Sequence, residues 1–183
     1  MRRILSFTFI VVVLLCSACA GKNERTKNLE AELRLFQEKA ITFPDNMVAM
    51  NFDEQMQPDM ALLSRPLKMV VYVNQEGCQD CRLRSLLPVY MFMLENQKLA
   101  HFGVVIILHP AQIEAAESTL SEMNLRRTVF FDPDGSFERL NPHLPQNEQF
   151  HTFLLNEDNK VVLVGSPIHN EKLKNLYLAE MKR

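Results

Sequence analysis

Two residues separate Cys78 from Cys81, and the hydrophobic period changes across them. Before them runs Met69-Val70-Val71-Tyr72-Val73, short, β-branched and aromatic, as suits a strand buried on both faces of a largely parallel sheet. After them Leu83, Leu86, Leu87, Tyr90 and Leu94 fall three and four apart, which makes one stripe of a helix. The polar Asn74-Gln75-Glu76-Gly77 is the handover from strand to helix. Both thiols are therefore expected where a helix begins, with Cys78 beside backbone N–H groups that have no intrahelical partner and beside the positive end of the helix dipole. Both influences favour thiolate, the form that attacks a disulfide. One helical turn brings Cys81 back to Cys78, so a mixed disulfide formed at the first sulfur can be resolved by the second.

The N-terminus sets the compartment in which those thiols are expected to work. Met1-Arg2-Arg3 is a short basic region and Ile4 to Leu15 an apolar one too short to span a bilayer. Leu15-Cys16-Ser17-Ala18-Cys19 resembles a bacterial lipobox, with small residues ahead of Cys19 as the position that takes the lipid. It departs from the pattern at Cys16, where leucine is preferred; an ordinary secretory signal cut nearby is the alternative. Either implies export. Residues 1–18 are thus expected to be a lipoprotein signal peptide, 19–41 a tether and amphipathic helix, and 42–183 the folded domain. Cleavage before Cys19 removes two arginines from the 20 basic residues, against 22 acidic ones, so the net charge moves from −2 to −4. Mild acidity argues against nucleic acid as a partner. Of the four cysteines, only Cys78 and Cys81 then remain as free thiols, able to pair with each other or with another molecule.

Downstream of the tether, Leu29, Leu33 and Phe36 recur at helical spacing, so Glu30 to Ala40 reads as an amphipathic helix, either docked on the domain or a solvated linker. Pro44, Pro58 and Pro66 interrupt the next stretch, in which Met47-Val48-Ala49-Met50 fits an edge strand. Met47, Met50, Met56 and Met60 admit a soft-ligand reading, but gap-filling in a core is the commoner use of methionine. Gly103 to Leu108 is a second buried strand, ended by His109-Pro110; Ala111 to Asn124 a helix with Ile113, Ala116, Leu120 and Met123 on one side; Thr128 to Phe131 a short strand. Asp132-Pro133-Asp134-Gly135 is a turn, without the further acidic positions of a calcium loop. After the irregular Asn141-Pro142-His143-Leu144-Pro145, strands over Phe150 to Leu155 and Val161 to Val164 form a hairpin, and Glu171 to Met181 closes the chain as a helix through Leu173, Leu176, Tyr177 and Met181. Parallel βα units followed by an antiparallel pair predict an α/β domain with one mixed sheet and helices on both faces.

That order, with Cys-x-x-Cys opening the first helix, resembles the thioredoxin fold. The exported start, Phe131-Asp132-Pro133-Asp134-Gly135, and Thr152-Phe153-Leu154-Leu155-Asn156 followed by a turn and Lys160-Val161-Val162 resemble the membrane-tethered disulfide reductases of the TlpA type, from about Lys68 onwards. The resemblance implies thiol–disulfide exchange on envelope proteins by Cys78 and Cys81 with no further cofactor, a membrane thiol carrier as electron donor, and anchoring through the N-terminal lipid. It places the substrate-docking loop at Gln149, Phe150 and His151. The chain departs from the family in four places. Gly77 stands where an aromatic residue usually precedes the first cysteine, and Gln79-Asp80 replaces Gly-Pro. Phe150 matches the proline that packs, normally in cis, against the disulfide. Tyr72 matches the buried acid that serves some members as a proton relay, and Glu76 is the nearest carboxylate ahead of the cysteines. Asp80, between the sulfurs, opposes the Cys78 thiolate while Arg82 and Arg84 partly restore it. A less stabilised thiolate makes the couple more reducing, so a reductant or modest isomerase is expected rather than a strong oxidase.

Two rivals come from other classes. The reduced pair with His151 as third ligand is a soft-metal set suited to Cu(I), although a lone histidine near a strand start is more often structural. Alternatively the disulfide staples a loop of a lipoprotein that only binds another envelope protein. Haem attachment is excluded by Arg82 at the required histidine position.

Overall fold

The computed structural model describes residues 26–52, 56–96 and 98–183. The expected signal peptide, the lipidation position Cys19 and the start of the tether lie outside the described residues. Contacts divide the chain into two units, Met1–Leu35 and Phe36–Arg183, with the division inside a helix, α1, at residues 26–38. No helix among the described residues is long and apolar enough to cross a membrane.

The second unit is an α/β domain around one sheet. Its strands are β1 (Val48–Asn51), β2 (Leu67–Val73), β3 (Phe102–Leu108), β4 (Thr128–Phe131), β5 (Thr152–Leu155) and β6 (Val161–Val164), in the order β1-β4-β3-β2-β5-β6. β2, β3 and β4 run parallel, while β1 is antiparallel to β4 and β5 antiparallel to both β2 and β6. The helices are α2 (Gln79–Arg84), α3 (Leu86–Asn96), α4 (Ile113–Glu122), α5 (Ser136–Leu140) and α6 (Glu171–Glu180). Strand alternation sends side chains to two layers. Met69, Val71 and Val73 meet Leu83, Leu86, Phe92, Leu120 and Tyr177 on one face. Val70 and Tyr72 meet Phe137, Phe153, Phe36 and Ile41 on the other. The mixed sheet with helices on both faces is the architecture the sequence predicts. Met47-Val48-Ala49-Met50 contributes most of edge strand β1, and Met47 and Met50 pack against the core while Met56 and Met60 are exposed.

Several local expectations need correction. The helix after Cys81 is two helices, broken at Ser85. Pro88 explains the break: it lacks the N–H that would reach Arg84 O, and its ring crowds that carbonyl. The helix restarts in a new register, so Leu83 and Leu86 are buried with Val89 and Phe92, while Leu87 is 46% exposed. In α6 Tyr177 and Met181 are buried but Leu176 faces out. Phe150 and His151 precede β5 rather than lying in it: Glu148–Phe150 is a single 3-10 turn capped by Asn147. The turn after β4 also launches α5, because the buried Asp132 carboxylate accepts the N–H groups of Ser136 (2.9 Å) and Phe137 (2.8 Å). Gly135 is required there, at φ 62° and with a Cβ position 2.6 Å from His109 Cε1.

Candidate active site

β2 ends beside β3, where His109 N–H donates to Val73 O at 2.8 Å, and the chain leaves the sheet edge as Asn74 to Gly77. Gly77 has φ +70° with open space where a Cβ would stand. A left-handed backbone strains an L side chain, which is a local reason for glycine where the family carries an aromatic residue. Cys78 is the N-cap of α2: its Sγ accepts Cys81 N–H at 3.4 Å and its carbonyl accepts Arg82 N–H at 3.2 Å. Cys78 and Cys81 are joined as a disulfide with Cα atoms 5.4 Å apart, and both are exposed. The two sulfurs thus stand at a helix start, open to a second molecule. The N–H aimed at Cys78 Sγ stabilises negative charge there once the bond opens.

Asp80 points away from this role. Its carboxylate takes Arg84 at 2.9 Å and the Thr119 hydroxyl at 3.1 Å, and these two contacts, Arg84 first, hold the carboxyl below its ordinary range. Arg84 also reaches Glu122 at 3.2 Å, so this cluster ties α2 to α4. Arg84 lies in the last turn of α2, and its charge is committed to carboxylates rather than to Cys78.

Arg82 has other partners. Its Nη1 donates to Asn74 Oδ1, to Glu76 O at 3.0 Å and to Glu148 Oε1 at 2.8 Å. The Glu76 side chain is exposed, and the residue enters the site through its carbonyl. Gln149 is exposed and Phe150 half-buried on the 3-10 turn, while His151 is buried and bonded, Nε2 to Pro145 O at 2.8 Å. Every peptide bond here is trans, there being no cis bond among the described residues. His151 O accepts Tyr72 N–H at 2.9 Å, and the two rings pack with centroids 5.4 Å apart. Burial above all lowers the His151 imidazole, whose Nδ1 has no hydrogen-bond partner among the described residues. Tyr72, at the family's acid position, is also buried, and burial followed by the Glu138 and Asp132 carboxylates pushes its phenol well up. Near neutrality it holds its proton, and no relay carboxylate occupies this place.

His151 lines two hollows. One, of about 580 Å³, is lined by Arg82, Ser85, Leu86, Glu148 and Thr152; the other, of about 530 Å³, by Asn74, Glu76, Glu138 and Pro145. Glu138, Asn74 and Glu148 were not singled out in the sequence. Only the i, i+4 spacing of Cys78 and Arg82 hints that the arginine shares the cysteine's side of the helix. Among the described residues no three His, Cys, Asp or Glu side chains gather as a metal set, and the His151 ring faces inward with Nε2 on Pro145 O.

No protein-family model matches the chain, and no curated protein does. Solved structures do. A Chlorobium tepidum protein assigned as thiol:disulfide interchange protein DsbE matches with TM-score 0.55 and 20% identity, over 78% of this chain and 97% of the other. A thioredoxin-like protein solved in its oxidised form matches with TM-score 0.51 and 17% identity over 77% and 97%. A variant of PrxQ from Xylella fastidiosa matches with TM-score 0.50 and 8% identity over 78% and 97%. These agreements over nearly the full length of each structure, together with the sheet order and a disulfide at the start of α2, show that the chain has the thioredoxin-like fold.

Proposed function

We propose that the protein carries out thiol–disulfide exchange, with Cys78 as nucleophile and Cys81 as resolving thiol, and that it works as a reductant on envelope proteins. The observation that carries this is the exposed Cys78–Cys81 disulfide at the start of α2, with Cys81 N–H directed at Cys78 Sγ. In the reduced protein the Cys78 thiolate attacks one sulfur of a substrate disulfide; the other substrate sulfur leaves and takes up a proton. Cys81, losing its proton, attacks Cys78 Sγ and expels the second substrate sulfur, which is protonated in turn. The substrate gains two electrons and two protons, and the pair ends as the disulfide. A thiol carrier in the membrane regenerates the dithiol by the reverse exchange. No other cofactor is needed.

The reducing direction rests on arginines committed elsewhere, Arg84 to Asp80 and Glu122 and Arg82 to Glu148, which leaves the Cys78 thiolate with modest support. Lipidation at Cys19 and a site facing the periplasm or the exterior rest on the N-terminal pattern, and the TlpA-type assignment on that pattern together with Phe131 to Gly135 and the hairpin from Thr152 to Val162. A second reading is favoured by the inward-facing His151 at the docking segment: a non-catalytic module whose disulfide staples the loop and whose surface binds an envelope protein. Cys81→Ala separates them. Exchange predicts mixed disulfides trapped on Cys78 with envelope proteins; a staple predicts none under conditions that trap an active thioredoxin.

A further inference from the structure

We propose that Arg82 is a positioning residue, one that joins the cysteine loop to the docking segment so that a polypeptide held at residues 148–151 meets Cys78 in register. This rests on the exchange reading above. Four acceptors converge on one nitrogen, Nη1: Asn74 O at 3.4 Å, Asn74 Oδ1, Glu76 O at 3.0 Å and Glu148 Oε1 at 2.8 Å. Nη1 carries two hydrogens, so the four share them, and Asn74 Oδ1 also accepts the Glu76 N–H at 3.3 Å. The Arg82 side chain is only 19% exposed, which shields these bonds from water more than an ordinary surface pair. Asn74 is buried and is held a second time by Glu138 Oε1 at 3.5 Å.

The contacts close a circuit. Glu148 opens the 3-10 turn, and its carbonyl accepts His151 N–H at 3.0 Å. His151 O accepts Tyr72 N–H at 2.9 Å, which returns the path to β2, two residues before Asn74. From β2 along the chain to Asn74, then to Arg82, across to Glu148 and back through His151, each step between separate segments is a hydrogen bond. Arg82 is the one charged donor in it, and the step to Glu148 crosses from the cysteine helix to the segment ahead of β5. Losing that step frees Glu148–His151 from the cysteine side while leaving the disulfide and α2 in place.

The test uses Arg82→Ala, Arg82→Lys, Glu148→Ala and the double variant in the full chain. Three quantities are measured: amide hydrogen exchange of residues 148–151, the KM and kcat for insulin disulfides, and the rate with a small aromatic disulfide that needs no docking. Loss of one charge-assisted bond corresponds to about tenfold. Arg82→Ala and Glu148→Ala are each expected to speed exchange in 148–151 and to raise the insulin KM by about that factor, several times more than either slows the small disulfide. The double variant is expected to be no worse than Arg82→Ala. Arg82→Lys is expected to recover part of the loss, since three ammonium hydrogens suit acceptors converging on one point. Unchanged exchange in 148–151, additive effects in the double variant, or equal losses on insulin and the small disulfide would overturn the proposal. If Arg82→Ala does not fold, Glu148→Ala alone decides, because its side chain is 39% exposed and Arg82 keeps Asn74 and Glu76 as acceptors when it is lost. A wild-type protein that reduces neither disulfide overturns the exchange reading, and the circuit is then judged on amide exchange.

Discussion

Tyr72→Phe removes one oxygen atom and keeps everything the ring does. Tyr72 is 2% exposed, its ring packs against Phe137 at 5.0 Å and His151 at 5.4 Å, and phenylalanine preserves both contacts. The hydroxyl is buried and meets no partner of strict hydrogen-bond geometry among the described residues, with only a loose side-chain contact to the Glu138 carboxylate. A buried hydroxyl left without a well-formed bond costs about 1–3 kcal/mol, and the space left by one oxygen is too small to cancel that gain. The variant is therefore expected to be more stable by about 1 kcal/mol, a rise in Tm of about 2–4 °C for a chain of this size. Urea unfolding of the oxidised protein at pH 7, with an unchanged m-value, measures it. A loss of about 1 kcal/mol would refute the reasoning, since it would mean that the hydroxyl is bonded after all, with the Glu138 carboxylate in its field as the acceptor. The same variant is expected to keep the wild-type pH profile of insulin reduction, because a phenol raised by burial and by two carboxylates neither gives nor takes a proton near neutrality.

Phe36, fully buried with its ring edge-on to Phe153 at 5.0 Å, belongs to the core, so Phe36→Ala is expected to cost about 3–5 kcal/mol in urea unfolding. Burial lowers the imidazoles of His151 and His143 from 6.5, so between that value and the lower folded values the unfolded chain binds more protons than the folded one. Stability is thus fully present above about pH 6.5 and falls as the pH drops through the folded values; unfolding midpoints between pH 8 and 5 should show the decline, and His151→Gln should flatten it. Asp80→Asn takes from Arg84 one of its two carboxylate partners and is expected to shift the couple in the oxidising direction, read by equilibration with glutathione.

Much of this was legible from local pattern. The runs at Met69–Val73, Gly103–Leu108 and Thr128–Phe131 became strands because β-branched and aromatic residues buried on both faces leave little alternative. The cysteines sit at a helix start because Asn74 to Gly77 allows the turn. The break between α2 and α3 was also written in the chain, in Pro88, but an apolar stripe of the right spacing hid it until the crowded carbonyl of Arg84 was considered. Leu87 and Leu176 read as core and face solvent, since spacing identifies a helix face but not how far that face extends. The parts that escaped the sequence are those set by distant partners. Nothing near Arg82 announces Glu148, 66 residues on, and nothing near Asp80 announces Thr119. Both charges read naturally as regulators of the thiolate, whereas the fold uses them first to tie elements together.

The reduction potential of the Cys78–Cys81 pair tests the central claim most directly, because exchange requires a disulfide that opens under biological thiols. A working reductant of this fold is expected between about −200 and −300 mV, near the thioredoxin and glutaredoxin range. A value near −120 mV, as for a strong oxidase, would contradict the reducing direction. One well below about −300 mV, where structural disulfides lie, would contradict exchange itself.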